Sequence, residues 1–457
     1  VRAKVLLVFP PFTKPALLDY APIGICQLAS YLKREIPDAE VKLVDGTNTH
    51  YSNGDWQDLL LDYQPDLVGI SCITLNYPSG KHLATLASAL LPATLTVMGG
   101  VHVVTTLQES LQYCDVVVTG EGEDVLCELA RGWPLEQISG IGYKNRGCQV
   151  FTKPRPQIAD LDSLLFPDYA PLNPKSYVGY PAWQVLTSRG CPYDCSFCTN
   201  HVMWGRKIRS RSPKNIVGEI QELHDRYGIN RIQFQDDTVN IPQARAFAVC
   251  DEIINRGLNK EMTFMASLRV NKQLVSQEML NKMKEAGFEF LGFGVESGSQ
   301  RVLDIMHKEL APQEVKSAVK MMRKAGIKRR MGFIMIGNWG ETLWDVFKTW
   351  WLTITTSMET AYSVCTPFPG TEFYKLCVKA GYLSNSPDWE DFNITTVTTR
   401  TDKMGKRAIF AVHVASIFLQ LVFAIFRGGS PRRTLHKIWW HGVDMIRRRL
   451  SLEKSCG

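Results

Sequence analysis

No part of the 457-residue sequence is collagenous, low in complexity or broadly disordered, and no short-period repeat runs through it. Charged residues make up only 21% against 45% hydrophobic ones, an ordinary globular balance that leaves room for sizeable buried cores. A one-domain reading is set aside, because single cores stop growing near about 250–300 residues. No opening stretch reads as a secretory signal, and the twelve cysteines form no disulfide framework. Nine are scattered, several in apolar runs (Cys26, Cys72, Cys127, Cys250, Cys365), where a thiol behaves as a small hydrophobe. A reducing, cytoplasmic compartment is therefore expected.

The first 400 residues also lack net charge. Residues 401–457 hold eleven Lys and Arg against three Asp and Glu, a charge of +8 that exceeds the total of +7 and leaves −1 for the rest. A nucleic-acid enzyme would spread positive charge along a groove, so no nucleic-acid partner is expected.

Along residues 1–137, short apolar runs at 5–9, 41–44, 67–72, 95–98 and 116–118 alternate with helical spacing, as at 24–32 and 79–90. This predicts a doubly wound, Rossmann-like parallel sheet whose ligands sit at the C-terminal strand ends. Residues 138–182 read as a linker, with a hairpin turn at Asn145-Arg146-Gly147 and six prolines (Pro154, Pro156, Pro167, Pro171, Pro174, Pro181). A second alternation fills 183–380, with strands at 183–187, 229–234, 263–266, 290–295, 331–336 and 361–365 and helices at 216–227, 243–255, 277–286 and 312–325. Six units predict a partial (β/α)6 barrel with chemistry on the loops after the strands. Residues 381–457 are expected to be a basic, partly hydrophobic helical region. Its uncharged run 408–426 suits a buried helix covering the barrel, an interfacial membrane contact or greasy substrate channel, or a span.

The sharpest chemical signal is Cys191, Cys195 and Cys198, in the loop after the first strand of the second unit. Three thiols so close share a metal group. Completed by His201 they would form a structural zinc site. Binding three irons of a four-iron cluster, they would leave the fourth iron open to a ligand. Zinc knuckles staple small domains with little other core, whereas this loop tops a barrel strand, which favours the cluster.

The spacing C-x3-C-x2-C, with aromatic Phe197 before the last cysteine, resembles the radical S-adenosylmethionine (SAM) superfamily. The resemblance covers about residues 183–380 and implies further roles at the strand ends. Gln235 and Asp236, the better candidate, would meet the SAM amino group. Ser267 and Arg269 would hold its ribose and carboxylate, Glu296 its ribose or methionyl part, and the segment around Ile336 its adenine. Asn338 and Trp339 depart from the pattern, where proline-containing turns are commoner.

The first unit resembles the cobalamin-binding domain of cobalamin-dependent radical SAM enzymes. The similarity rests on Ser71 with Thr74 after the third strand, Gly99, Gly100 and Val101 after the fourth, Gly120, Glu121 and Gly122 after the fifth, and the segment from Tyr20 to Gly24. No D-x-H-x-x-G motif occurs, and His50 and His102 stand in other contexts, so a cobalt lower face without histidine is expected. The dinucleotide and P-loop alternatives each lack a glycine. A SAM-only enzyme with a degenerate sheet domain is the remaining competitor.

Together the resemblances imply a 4Fe-4S cluster held by Cys191, Cys195 and Cys198, SAM, and cobalamin. The implied reaction is methylation of an unactivated carbon in a natural product, cofactor precursor or lipid, through 5'-deoxyadenosyl radical hydrogen abstraction and methylcobalamin. A radical oxidative cyclase or rearrangement enzyme with the same cofactors is the alternative, and a non-catalytic sensor a further one. A flavodoxin or ferredoxin electron donor is expected, for which the run Arg206, Lys207, Arg209 and Arg211 offers either a docking face or a plain solvated surface. The C-terminal region is the candidate for peripheral membrane contact.

Overall fold

The computed structural model describes residues 3–13, 21–49, 51–174, 177, 182–384 and 387–426. Tyr20, His50 and the basic segment 427–457 lie outside them.

The apolar runs of the first unit become strands because each is flanked by turn residues and covered on both faces, as parallel sheets require. They are β1 (Lys4–Phe9), β2 (Glu40–Asp45), β3 (Leu67–Ser71), β4 (Leu95–Gly99) and β5 (Val116–Val118). Their order is β2-β1-β3-β4-β5, all parallel, so β1 lies between β2 and β3 and the direction of winding reverses there. A crevice opens outside the strand ends at such a reversal.

The predicted linker differs from expectation in a useful way. Residues 141–151 form two further strands, β6 (Ile141–Asn145), antiparallel to β5, and β7 (Cys148–Phe151), antiparallel to β6, which make the sheet seven-stranded. Arg146 (φ 49°) and Gly147 (φ 79°) are both left-handed, the geometry of a two-residue hairpin. Residues 152–174 of the linker run as a strap pinned to the first unit. Ser30 Oγ donates to the Phe166 carbonyl at 2.7 Å, Gln27 Nε2 to that of Leu165 at 2.8 Å, and Lys33 pairs with Asp168 at 2.7 Å.

The second unit begins with β8 (Trp183–Val185) and a small antiparallel pair, β9 (Ser188–Arg189) and β10 (Arg209–Ser210). It continues with β11 (Arg231–Phe234), β12 (Thr263–Leu268), β13 (Phe288–Glu296), β14 (Arg329–Ile336) and β15 (Glu359–Val364). The six parallel strands run β8-β11-β12-β13-β14-β15, an open barrel ending at β15. Phe234, Phe264 and Phe288 cluster in its core with ring centroids 5.3–6.1 Å apart.

The C-terminal region divides between the two units. Trp389 and Phe392 bury themselves in the core of the first, where Trp389 Nε1 donates to Glu109 at 3.1 Å. The helix Lys406–Phe426 packs on β15 and β14. It buries Ile409, Val412, His413 and Ser416, and Ser416 Oγ accepts from Trp350 Nε1 at 2.8 Å. The opposite face is open, with Phe418 65% exposed. The helix is long and apolar enough to cross a membrane by length and composition, yet one face of it covers the barrel edge.

Candidate active site

The cysteine loop is built by backbone before side chains. Gly190 (φ 96°) turns the chain out of β9, and a Cβ there would collide with the Lys207 carbonyl. Cys198 N then donates to the Cys195 carbonyl at 3.0 Å, and Ser196 N to Met306 O at 3.0 Å. Cys195 is buried while Cys191 and Cys198 are partly open. Burial raises the Cys191 and Cys198 thiols above their ordinary value, Cys198 to about 12. Arg269 Nη1 donates to Cys195 Sγ at 3.6 Å, and its guanidinium lies 3.3 Å over the Tyr193 ring.

Among the described residues no three His, Cys, Asp or Glu side chains converge as ligands of one metal ion do. Three thiolates that each take a different iron of a cluster need no such convergence. Their spread is therefore compatible with a cluster, and among the described residues His201 joins no such group.

A cavity of about 520 Å³ lies between the two units. On the sheet side it is lined by Ser71, Gly99, Gly100 and Val101, by Gly120, Glu121 and Gly122, and by Phe9 of β1. It thus occupies the crevice where the winding reverses. Gly100 (φ 95°) admits no side chain, since a Cβ would sit 2.5 Å from the Cys72 carbonyl oxygen, whereas a Cβ on Gly120 would meet nothing within 4 Å. One glycine closes the turn and the other leaves the floor open, a cradle suited to a flat macrocycle. Leu161, Leu164 and Leu165 of the strap close one side, and Cys198, Asn200 and Asp237 form the barrel side. No histidine lines the cavity among the described residues.

The other sites fall at the C-terminal ends of the barrel strands, but several side chains have work other than that expected. Asp236 is not among the residues that line the cavity. It is fully buried, accepts from Thr187 N at 2.6 Å and Ser188 N at 3.0 Å, and pairs with Arg245 at 2.9 Å. Its neighbour Asp237 faces the cavity and accepts from Asn200 Nδ2 at 2.5 Å. Enclosure by protein and the Asp236 charge push the Asp237 carboxyl up to about 6. Gln235 is exposed and accepts from Gln233 at 3.1 Å.

Ser267 is half-buried near the end of β12. Arg269, besides Cys195, reaches the Lys308 carbonyl and Asn271 Oδ1, so it braces the cysteine loop. Glu296 is left-handed (φ 59°) and pairs with Lys308 at 2.7 Å. The Ile336 carbonyl accepts from Cys365 N at 2.8 Å. The turn that follows, where proline was missing, is closed by the buried Glu341 carboxylate, which accepts from Gly337 N at 2.7 Å and Asn338 N at 3.2 Å. Phe197 packs beside Phe373, Cys365 and Cys377 rather than toward the cavity.

In the first unit Thr74 turns inward to His102 Nδ1 at 3.1 Å, away from the cavity lining. Glu121 lines the cavity through its segment, but its carboxylate is spent on Arg189 at 2.6 Å, Arg209 at 2.9 Å and Ile158 N at 2.7 Å. Glu123 takes the other end of Arg189, also at 2.6 Å. The predicted basic face accordingly breaks up: Arg209 is buried in this cluster, Arg211 pairs with Glu219, and only Arg206 and Lys207 remain at the surface. Arg189, which the sequence did not single out, joins Glu121 and Glu123, and Arg209 closes the same buried cluster.

Two family models match the chain: the B12 binding domain over residues 13–130 and the radical SAM superfamily over 185–349. An uncharacterised methyltransferase of Pyrococcus horikoshii is 32% identical over 97% of this chain and 96% of its own length. The chain belongs to the cobalamin-dependent radical SAM methyltransferase family.

This cobalamin-dependent radical SAM enzyme is also 28% identical, over 78% of its length, to an anaerobic magnesium-protoporphyrin IX monomethyl ester cyclase of Cereibacter sphaeroides, of which 60% is covered. Its fold is similar to that of OxsB, a cobalamin-dependent SAM radical enzyme solved with aqua-cobalamin and SAM bound (TM-score 0.76, 16% identity, 97% of this chain and 71% of that one). The cofactors are a 4Fe-4S cluster, SAM and cobalamin, and the substrate is a small molecule.

Proposed function

We propose that the enzyme methylates an unactivated carbon of a natural product, cofactor precursor or lipid. One observation carries this reading: the glycine cradle of the first unit and Cys198 of the cluster loop line the same cavity. When bound, the cluster with SAM supplies one-electron chemistry at carbon, and cobalamin supplies the methyl group. The chain's own residues hold the geometry. Arg269 braces Cys195, the Glu121 cluster fixes the cradle against the loop, and apolar side chains such as Leu28, Leu126 and Met203 keep the cavity wall dry. A dry wall protects a carbon radical from competing reactions.

The match to the Pyrococcus methyltransferase spans nearly all of both chains, while the cyclase is covered over 60%, which favours methyl transfer over ring closure. Arg206 and Lys207, exposed beside the cysteine loop, suit an acidic flavodoxin or ferredoxin. The reduced thiols suit the cytoplasm, and the C-terminal region brings the enzyme to a membrane face.

Anaerobic reconstitution with iron, sulfide and cobalamin, followed by SAM, a low-potential reductant and candidate substrates, tests the reading. Equal yields of 5'-deoxyadenosine and S-adenosylhomocysteine are expected. Substrate-dependent 5'-deoxyadenosine alone would transfer the assignment to the cyclase or rearrangement chemistry.

A further inference from the structure

The helix Leu343–Thr356 crosses the outside of the barrel between β14 and β15 and buries one face through Val346, Thr349, Leu352 and Thr353. Its outer face is apolar. Leu343 is 61% exposed, Trp344 63%, Phe347 48% and Trp351 57%. Positions 343, 347 and 351 recur every four residues, so they form one stripe along the helix, with Trp344 beside it. The Trp344 and Phe347 rings stack at 5.1 Å between centroids. Lys316 and Lys348 border the same shallow groove, which continues to Pro312. On the flank, Trp350 bonds Ser416 of the helix Lys406–Phe426, whose open face adds Phe418. Solvent-facing helices do not ordinarily expose a continuous row of large aromatics; such a patch marks an interaction surface.

We propose that this two-helix face docks on the surface of an anionic phospholipid membrane. The inference rests on the membrane placement made above and names the surface that does it. Two observations select lipid. The stripe is rich in tryptophan bordered by lysine, and indole rings with ammonium groups at their edge match the apolar-to-polar boundary of a bilayer. The charge also matches: residues 427–457, which follow directly from the second helix, hold eight Lys and Arg against two Asp and Glu. A basic segment continuous with an apolar face is attracted to anionic headgroups and brings that face to them.

The test is co-sedimentation of the full-length holoenzyme with phosphatidylcholine vesicles, with and without phosphatidylglycerol. Comparisons are Trp344→Ser/Phe347→Ser/Trp351→Ser, whose altered side chains are exposed and whose fold is checked by melting temperature, and a chain ending at Phe426. Wild type is expected to bind only the anionic vesicles, the triple variant to lose about tenfold in partition, a difference of about 1.4 kcal/mol, and both to keep SAM cleavage. No binding by wild type to any vesicle overturns the membrane placement and this inference together. Binding by wild type that the triple variant matches overturns the stripe and leaves the basic segment as the contact. Binding stronger in the chain ending at Phe426 shows that residues 427–457 themselves cover the stripe. A wild-type dimer that the triple variant abolishes shows that a second copy covers it.

Discussion

Glu121 concentrates more of the site's order than any other single side chain. It sits in the cradle segment, yet its carboxylate is shared by Arg189 and Arg209, all three nearly inaccessible. Removing one member of such a buried set leaves charges without compensation. Glu121→Gln should destabilise the fold by about 3–5 kcal/mol, read by chemical denaturation, and weaken cobalamin retention. Two histidines give a pH dependence. Burial lowers His102 to about 3 and His413 to about 4. The unfolded chain protonates both near the ordinary value of about 6.5 and the folded chain does not, so stability is full above that pH and falls as pH drops toward the folded values. About 2 kcal/mol per histidine should be lost by pH 5, and His102→Gln should flatten the fall in melting temperature. At this scale the sequence was legible where chemistry is local: three cysteines within eight residues need no fold to be read. Adjacent residues at a strand end point opposite ways, and the sequence alone did not say that Asp237 rather than Asp236 lines the cavity. Arg189 and Glu121 stand 68 residues apart, so no spacing rule could join them.

The helix Lys406–Phe426 takes the first of its expected roles, a cover for the barrel, on one of its faces. It covers the last barrel strand with one face and leaves the other open. A chain ending before Lys406 would bare the edge of β15 and leave Trp350 Nε1 without Ser416. It should be recovered mainly as aggregate, whereas a chain ending at Phe426 should remain soluble; size-exclusion yield distinguishes them. The strands themselves were legible, because buried parallel strands advertise themselves as short apolar runs. β6 and β7 were hidden in the linker because Cys148–Phe151 is exposed along nearly its whole length, on both faces, and shows no buried alternation. Only the turn at Arg146 and Gly147 announced them.

Over the whole molecule the cavity belongs to neither unit alone. Sheet, strap and barrel each supply a wall, so filling it should tighten all three. Cobalamin is expected to slow limited proteolysis within 154–167 and to raise the melting temperature of the chain as one transition; two separate transitions, only one of them shifted, would count against a shared site. The two-unit architecture and the cofactor set were readable from the order of motifs. The fold-back of Trp389 onto the first unit was not, since a lone tryptophan carries no signal of its target.

Arg189 stands two residues before Cys191 and grips Glu121 and Glu123 in the cradle. The cysteine loop and the glycine segment are thus tied together by a very short lever of chain. For anyone recombining these enzymes, a barrel moved from one relative onto the cobalamin domain of another would carry every motif intact and still be mis-spaced, unless Glu121, Glu123, Arg189 and Arg209 were exchanged as a set.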